Sequence, residues 1–176
     1  IVSGGHTSLI DCRGLGDYRV LGSTRDDAAG ESFDKVARLL GLGYPGGPAI
    51  ERAAMDGNPR AFDFPRALPR SGSFEFSYSV LKTAVLYTLQ RSPEARVADV
   101  AASFQAAAVD ALISKTLAAL TYTGARRLVV AGGVAANRLL RERLSASVPV
   151  PVLIPPIPLC TDNAAMIACA GWYRFQ

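Results

Sequence analysis

LVVAGGVAANRLLRERLS, residues 128–145, decides the fold. Leu128 to Ala131 is a short apolar run that reads as a buried strand. Gly132-Gly133 breaks it, and apolar residues at helical spacing follow from about Ala136 to Ser145. Val152-Leu153-Ile154 is a further strand, and the last helix starts near Asp162. Strand, Gly-Gly, helix, strand, helix is the order of a parallel sheet in an α/β protein.

Upstream, Ile1 to Ser3, Gly4-Gly5 and Thr7 to Cys12 read as strand, turn, strand, with Tyr18 to Leu21 as the third strand of a meander. Asp26-Asp27 offers N-cap chemistry to a helix over 30–40, where Phe33, Val36, Ala37 and Leu40 share one face. GLGYPGG (41–47) is a loop. Pro48 suits the first turn of a helix that runs to about Asp56 and is closed by Gly57. Asn58 to Ser73 reads as a long irregular connection. Residues 79–90 and 97–122 read as helices, the second with Val109, Leu112, Ile113, Leu117 and Leu120 as its buried stripe.

A chain of 176 residues supports one domain with a sizeable core, and 49% hydrophobic against 19% charged residues is a globular balance. The net charge of +4 is scattered and does not by itself select a polyanionic partner. Cys12, Cys160 and Cys169 are odd in number and lack CxxC spacing, which argues against a disulfide framework or zinc finger and for a reducing cytoplasm. Leu128 to Ala136 falls short of the roughly 20 residues that span a bilayer, and Leu144 to Thr161 is broken by prolines, so no membrane association is expected. There is no visible signal peptide and no initiator Met, and the Ile-Val start reads as cut from something longer.

Gly-Gly occurs at 4–5, 46–47 and 132–133. Glycine lets backbone approach a ligand, helix N-termini favour anions, and ligands of open α/β sheets sit at carboxyl ends of strands. Together the three pairs suggest walls around one nucleotide, although each alone is equally a turn. Gly41-x-Gly43-x-x-Gly46 matches the dinucleotide fingerprint formally, but a helix rather than a strand precedes it. No GxxxxGK[ST] or GxSxG is present, and His6, the single histidine, has no triad signature around it. Asp34 and Glu51 are either solvated helix acids or acceptors for ribose hydroxyls. Asp162 is either a helix N-cap or a metal ligand at a strand end. Cys160 reads as core.

VSGGHTSLI, DDAAGESFDKVARLLGLGYPGGPAIE, FEFSYSVLKTAV, VVAGGVAANRLLR and CTDNAAMIA together resemble the TsaD/Gcp family, from Ile1 nearly to Gln176. These are bacterial tRNA adenosine threonylcarbamoyltransferases, formerly described as O-sialoglycoprotein endopeptidases. The resemblance implies an α/β lobe of the actin, heat-shock ATPase and sugar kinase type (ribonuclease H-like), with an additional helical portion near 30–125. It implies that residues 1–176 are the second, nucleotide-binding part of a two-lobe enzyme. The first lobe, with its His-x-x-x-His metal pair, would be missing, and the chain alone would be inactive.

By that resemblance Val2, Ser3, Gly4, Gly5 and His6 face the phosphate or acyl end of ATP or threonylcarbamoyl adenylate. Asp34, Gly47 and Glu51 hold the ribose, Gly133 and Asn137 the adenosine end, and Asp162 ligates one divalent metal, iron or zinc. No residue is assigned as a covalent catalyst. The implied reaction moves the threonylcarbamoyl group from its adenylate to the N6 amino group of adenosine 37 in tRNAs that read codons starting with A. Implied partners are tRNA and the other bacterial threonylcarbamoylation proteins, including a paralogue of the same fold and a small ATPase. Lys35, Arg38, Lys82 and Arg126 are candidate tRNA-facing charges. The sequence departs from the family pattern at Val80, where Gly is usual, at Tyr78, where Phe is common, and at Glu51, where Asp is frequent. Alternatives are a non-catalytic interaction module and an ATPase or sugar kinase of the same fold.

Overall fold

In the computed structural model, residues 1–66 and 72–175 are described. Two strands, β1 (Ser8–Gly14) and β2 (Asp17–Ser23), form an antiparallel hairpin with irregularities at Leu9/Ile10 and Cys12/Gly14. Four helices follow: α1 (Ala29–Leu39), α2 (Gly46–Ala54), α3 (Ser79–Arg91) and α4 (Val97–Thr123). Next come β3 (Leu128–Val129), α5 (Arg138–Ser147), β4 (Val152–Leu153) and α6 (Ala164–Arg174). β3 and β4 pair in parallel, as expected, but the strand at 128–131 is not buried throughout as expected: Val129 is 64% exposed, beside Leu153 of β4 at 53%.

The opening Ile1 to Ser3 is not a strand of its own. Val2 makes a single antiparallel bridge to Thr7, its N–H donates to Ala131 O at 2.8 Å, and its carbonyl accepts from Val134 N at 3.1 Å. That one residue joins the hairpin to the parallel pair. Gly132 makes the approach possible: its φ is +106°, and a Cβ there would lie 2.4 Å from Val2 O. Gly30 is packed the same way, its missing Cβ 2.7 Å from Ser3 O. An apolar cavity of about 360 Å³ lies beside this junction, between Leu9 and Ile10 of β1, Leu128 of β3 and Leu144 of α5.

Helix α4 is the core element. The expected stripe is too narrow, because its small residues Ala101, Ala102, Ser103, Ala107, Ala108 and Ala111 are buried as well. Phe33 of α1 meets Phe104 of α4 edge to face, with ring centroids 5.1 Å apart. The helix is long and apolar enough to cross a membrane, yet 72% of an apolar 18-residue stretch of it is buried inside this fold. By contrast α6 has no buried residue and exposes Ile167, Trp172 and Tyr173.

The capping chemistry is distributed differently from expectation. Neither Asp26 nor Asp27 caps α1; Ala28 occupies that position, and the Ala29 N–H is met by Thr7 Oγ1 at 2.8 Å. Asp26 instead reaches the start of α3, where it accepts from Tyr78 N at 2.7 Å, Ser79 N at 3.2 Å and the Ser77 hydroxyl. Asp27 pairs with Lys35, and Glu31 joins them. Hydrogen bonds donated to both carboxylates push the Lys35 ammonium up, while Lys35 holds Glu31 below its usual range. Asp162 is not the cap of α6: Asn163 is, accepting from Met166 N at 3.0 Å. Cys160 is core, as expected, at 3% exposure. The irregular connection holds over its described part, and residues 67–71 of it lie outside the described residues.

Gly132→Ala should be among the most damaging single-methyl changes in this chain. Overpacking against Val2 O and a positive φ together predict a loss of about 3 kcal/mol, read as a lowered urea midpoint. An unchanged midpoint would contradict the role given to this junction.

Candidate nucleotide site

A second cavity, of about 450 Å³, opens where the Ser3–His6 turn, α1, the start of α2 and the Gly133 turn converge. Six of the ten candidate ligand-binding residues line it: Gly4, Asp34, Gly47, Glu51, Gly133 and Asn137. Its volume is in the range of small-molecule sites, and its walls are mostly apolar, from Phe33, Pro45, Pro48, Val134 and Ile157.

The other four candidates stand differently. Val2 is buried and lines the neighbouring apolar cavity, so its part is to hold the sheet together. Ser3 and His6 close the turn on each other: Ser3 N donates to His6 O at 2.7 Å, and His6 N donates to Ser3 Oγ at 3.0 Å. His6 and Gly5 are exposed and do not line the cavity. The backbone N–H groups of Gly4 and Gly5 have no protein acceptor among the described residues.

The two carboxylates have one oxygen each committed to the scaffold. Asp34 Oδ1 accepts from Gly46 N at 2.7 Å and so satisfies the first turn of α2. Glu51 Oε1 accepts from Arg138 N at 2.6 Å, at the first residue of α5. Each second oxygen is without a protein hydrogen bond among the described residues. Asn137 is buried at 8% exposure and used at both ends: its carbonyl oxygen caps α5 by accepting from Leu140 N at 3.0 Å, and its amide donates to Gln105 Oε1 at 3.1 Å.

This corrects the expectation that the helix after Gly132-Gly133 presents bare N–H groups to an anion. Gly133–Ala136 is a separate 3-10 turn, and the start of α5 is already met by Asn137 and Glu51. Sequence reasoning also missed Tyr44, Thr161 and Phe33, which line the cavity. Their signal is weak, because an exposed loop Tyr or a core Phe has many other uses. The formal GxGxxG is no dinucleotide loop: it follows α1, as expected from the helix before it.

The glycines sort cleanly. A Cβ on Gly30, Gly46 or Gly132 would strike backbone within 2.7 Å, so packing alone accounts for these three. A Cβ on Gly4, Gly47 or Gly133 would meet nothing within 4 Å, and none of these has a positive φ. Packing within the described residues gives no reason for glycine at these three places. All three face the same cavity, where a missing side chain leaves room for a bound group.

Asp162 is exposed and follows Thr161 of the cavity wall. No group of three or more His, Cys, Asp or Glu side chains able to hold a metal occurs among the described residues.

Comparison with known proteins supplies the remaining context. Residues 1–169 match the family model of TsaD, tRNA N6-adenosine threonylcarbamoyltransferase. A protein of that name from Desulfitobacterium hafniense is 58% identical over 99% of this chain and 53% of its own length. One from Kosmotoga olearia is 55% identical, again over 99% of this chain and 53% of its own length. The chain therefore spans about half the length of the curated relatives it matches. Among solved structures, HypF of T. kodakarensis superposes with a TM-score of 0.64 at 18% identity, covering 90% of this chain and 21% of that one. The last likeness concerns fold only; together with the family match it fits an α/β lobe of the ribonuclease H-like, actin-like type. With the family match covering almost all of it, the chain belongs to the TsaD family.

Proposed function

We propose that this chain is the nucleotide-binding portion of a two-lobe tRNA N6-adenosine threonylcarbamoyltransferase. The observation that carries the reading is the cavity that brings Gly4, Asp34, Gly47, Glu51, Gly133 and Asn137 together in a TsaD-family chain. The ligand is ATP or threonylcarbamoyl adenylate. Its ribose hydroxyls donate to the second oxygens of Asp34 and Glu51. Its adenine and phosphate groups occupy the room left at Gly47, Gly133 and Gly4. Asn137 does not need to touch the ligand: it fixes the Gly133 turn against Gln105 and α5.

The transfer is direct, with no covalent nucleophile assigned to this chain. The N6 nitrogen of adenosine 37 in the acceptor tRNA bonds to the carbamoyl carbon, the bond from that carbon to the phosphate oxygen breaks, AMP leaves with its electron pair, and the N6 amino group gives up one proton to the departing phosphate or to water. The tRNAs concerned are those that read codons starting with A. Asp162 alone does not make a metal site, so no step is routed through one. By the family resemblance it would give one oxygen to an iron or zinc centre completed by a His pair that this chain, with its single histidine, lacks. Activity therefore belongs to the longer protein, and we place it in the cytoplasm, where Cys12, Cys160 and Cys169 stay free thiols. Lys35, paired with Asp27 and Glu31, is a poor tRNA contact; exposed Arg38 is a better one.

The exposed apolar surface of α6 favours a second reading, an interaction module docking on a protein of like fold or a small ATPase. Calorimetric titration with ATP separates the two. The nucleotide reading predicts saturable binding, weakened at least about tenfold, or 1.4 kcal/mol, by Gly47→Val or Gly133→Val at unchanged thermal midpoint. Equal binding by all three proteins, or none by the folded parent, contradicts it. Asn137→Ala should instead lower stability by about 2 kcal/mol in urea, because it removes a helix cap and leaves Gln105 unpaired.

A further inference from the structure

We propose that Arg141 is a positioning residue that sets the width of the nucleotide cavity from outside it. Arg141 does not line the cavity. Its Nε donates to Ala135 O at 2.7 Å, and its Nη2 donates to Pro155 O at 2.7 Å and meets Cys160 Sγ at 3.1 Å. Ala135 belongs to the turn whose Gly133, Val134 and Ala136 form one wall. Pro155 and Cys160 bracket the stretch whose Ile157 forms the other, with Thr161 next in the chain. Among the described residues no other hydrogen bond joins these two stretches.

The chemistry suits arginine and no other side chain. The guanidinium is a rigid planar fork, so one end fixes the turn while the other fixes the loop, whereas a lysine ammonium is a point donor on a flexible stem. The loop's other hydrogen bonds are all local. It is proline-rich, Leu159 N donates to Pro156 O and Cys160 N to Ile157 O, the Cys160 thiol reaches Pro155 O and Pro156 O, and the Asn163 amide donates to Leu159 O and Thr161 O. The loop also carries Thr161 and Asp162, so Arg141 fixes the Thr161 wall of the site relative to the Gly133 wall. This inference rests on the nucleotide reading above.

Cys160 supplies a readout that does not depend on that reading. Cys12 and Cys169 are exposed, so replacing both by Ser leaves one buried thiol against the fork. In that background the maleimide labelling rate of Cys160 and the ATP affinity are measured for the parent, Arg141→Lys and Arg141→Gln. The proposal predicts that labelling accelerates at least about tenfold in both variants, through local opening of the loop at a near-unchanged thermal midpoint. It predicts that ATP affinity falls at least about tenfold, and that ATP slows labelling in the parent. Labelling at the parent's rate in either folded variant overturns the clamp. Faster labelling with undiminished affinity overturns its role in the site. Absence of ATP binding to a folded parent overturns the nucleotide reading and this inference with it, and the labelling rates still report separately whether Arg141 holds the loop.

Discussion

The backbone of Val2 is held on both sides, its N–H by Ala131 O and its carbonyl by the Val134 N–H. Everything at the site depends on that hold. The residues after Val2 must turn at once, and the Ser3–His6 turn carries Gly4 to the cavity rim. Gly30 N donates to Ser3 O at 3.1 Å, so the start of α1 is pinned to the same point. Through Gly132 the opposite side of Val2 fixes the Gly133 turn. One residue thus sets three of the cavity walls, and it requires glycine at 132, whose Cβ would collide with Val2, and at 30, whose Cβ would collide with Ser3 and Gly4 just after it.

The carboxylates show how a binding surface is built from scaffold parts. Asp34 and Glu51 each spend one oxygen on a helix N-terminus, where a negative charge is favoured by the peptide dipoles. That bond orients the carboxylate and restrains its rotamer before any ligand arrives. The second oxygen is then presented at little entropic cost. Asn137 lies at the end of this logic: both ends of its amide are used inside the protein, so it acts through the turn it stabilises. The same division of labour places Arg141 one layer further out.

Much of this was legible in the sequence. The parallel β3–β4 pair follows from the apolar runs at 128–131 and 152–154, and α1 and α4 from helical spacing. Asp34, Glu51 and the glycine pairs could be singled out because their chemistry is unusual beside loops. Long-range capping was not legible. Asp26 sits before α1 in sequence but serves α3, some fifty residues away, because tertiary proximity decides which N–H it meets. Glu51 with Arg138, and Arg141 with Pro155, are invisible for the same reason. Nor does the sequence separate glycines required by packing, such as Gly46, from those next to open space, such as Gly47, since the two are adjacent and identical.

The central claim is that one cavity, between the Ser3–His6 turn, α2 and the Gly133 turn, holds the nucleotide. Amide chemical-shift mapping by NMR during ATP addition tests it most directly. The account predicts shifts concentrated at Gly4, Gly47, Val134 and Thr161, with the residues around the apolar cavity of Leu9, Ile10 and Leu128 unmoved. Shifts centred on that apolar cavity, or none at saturating ATP, would contradict it.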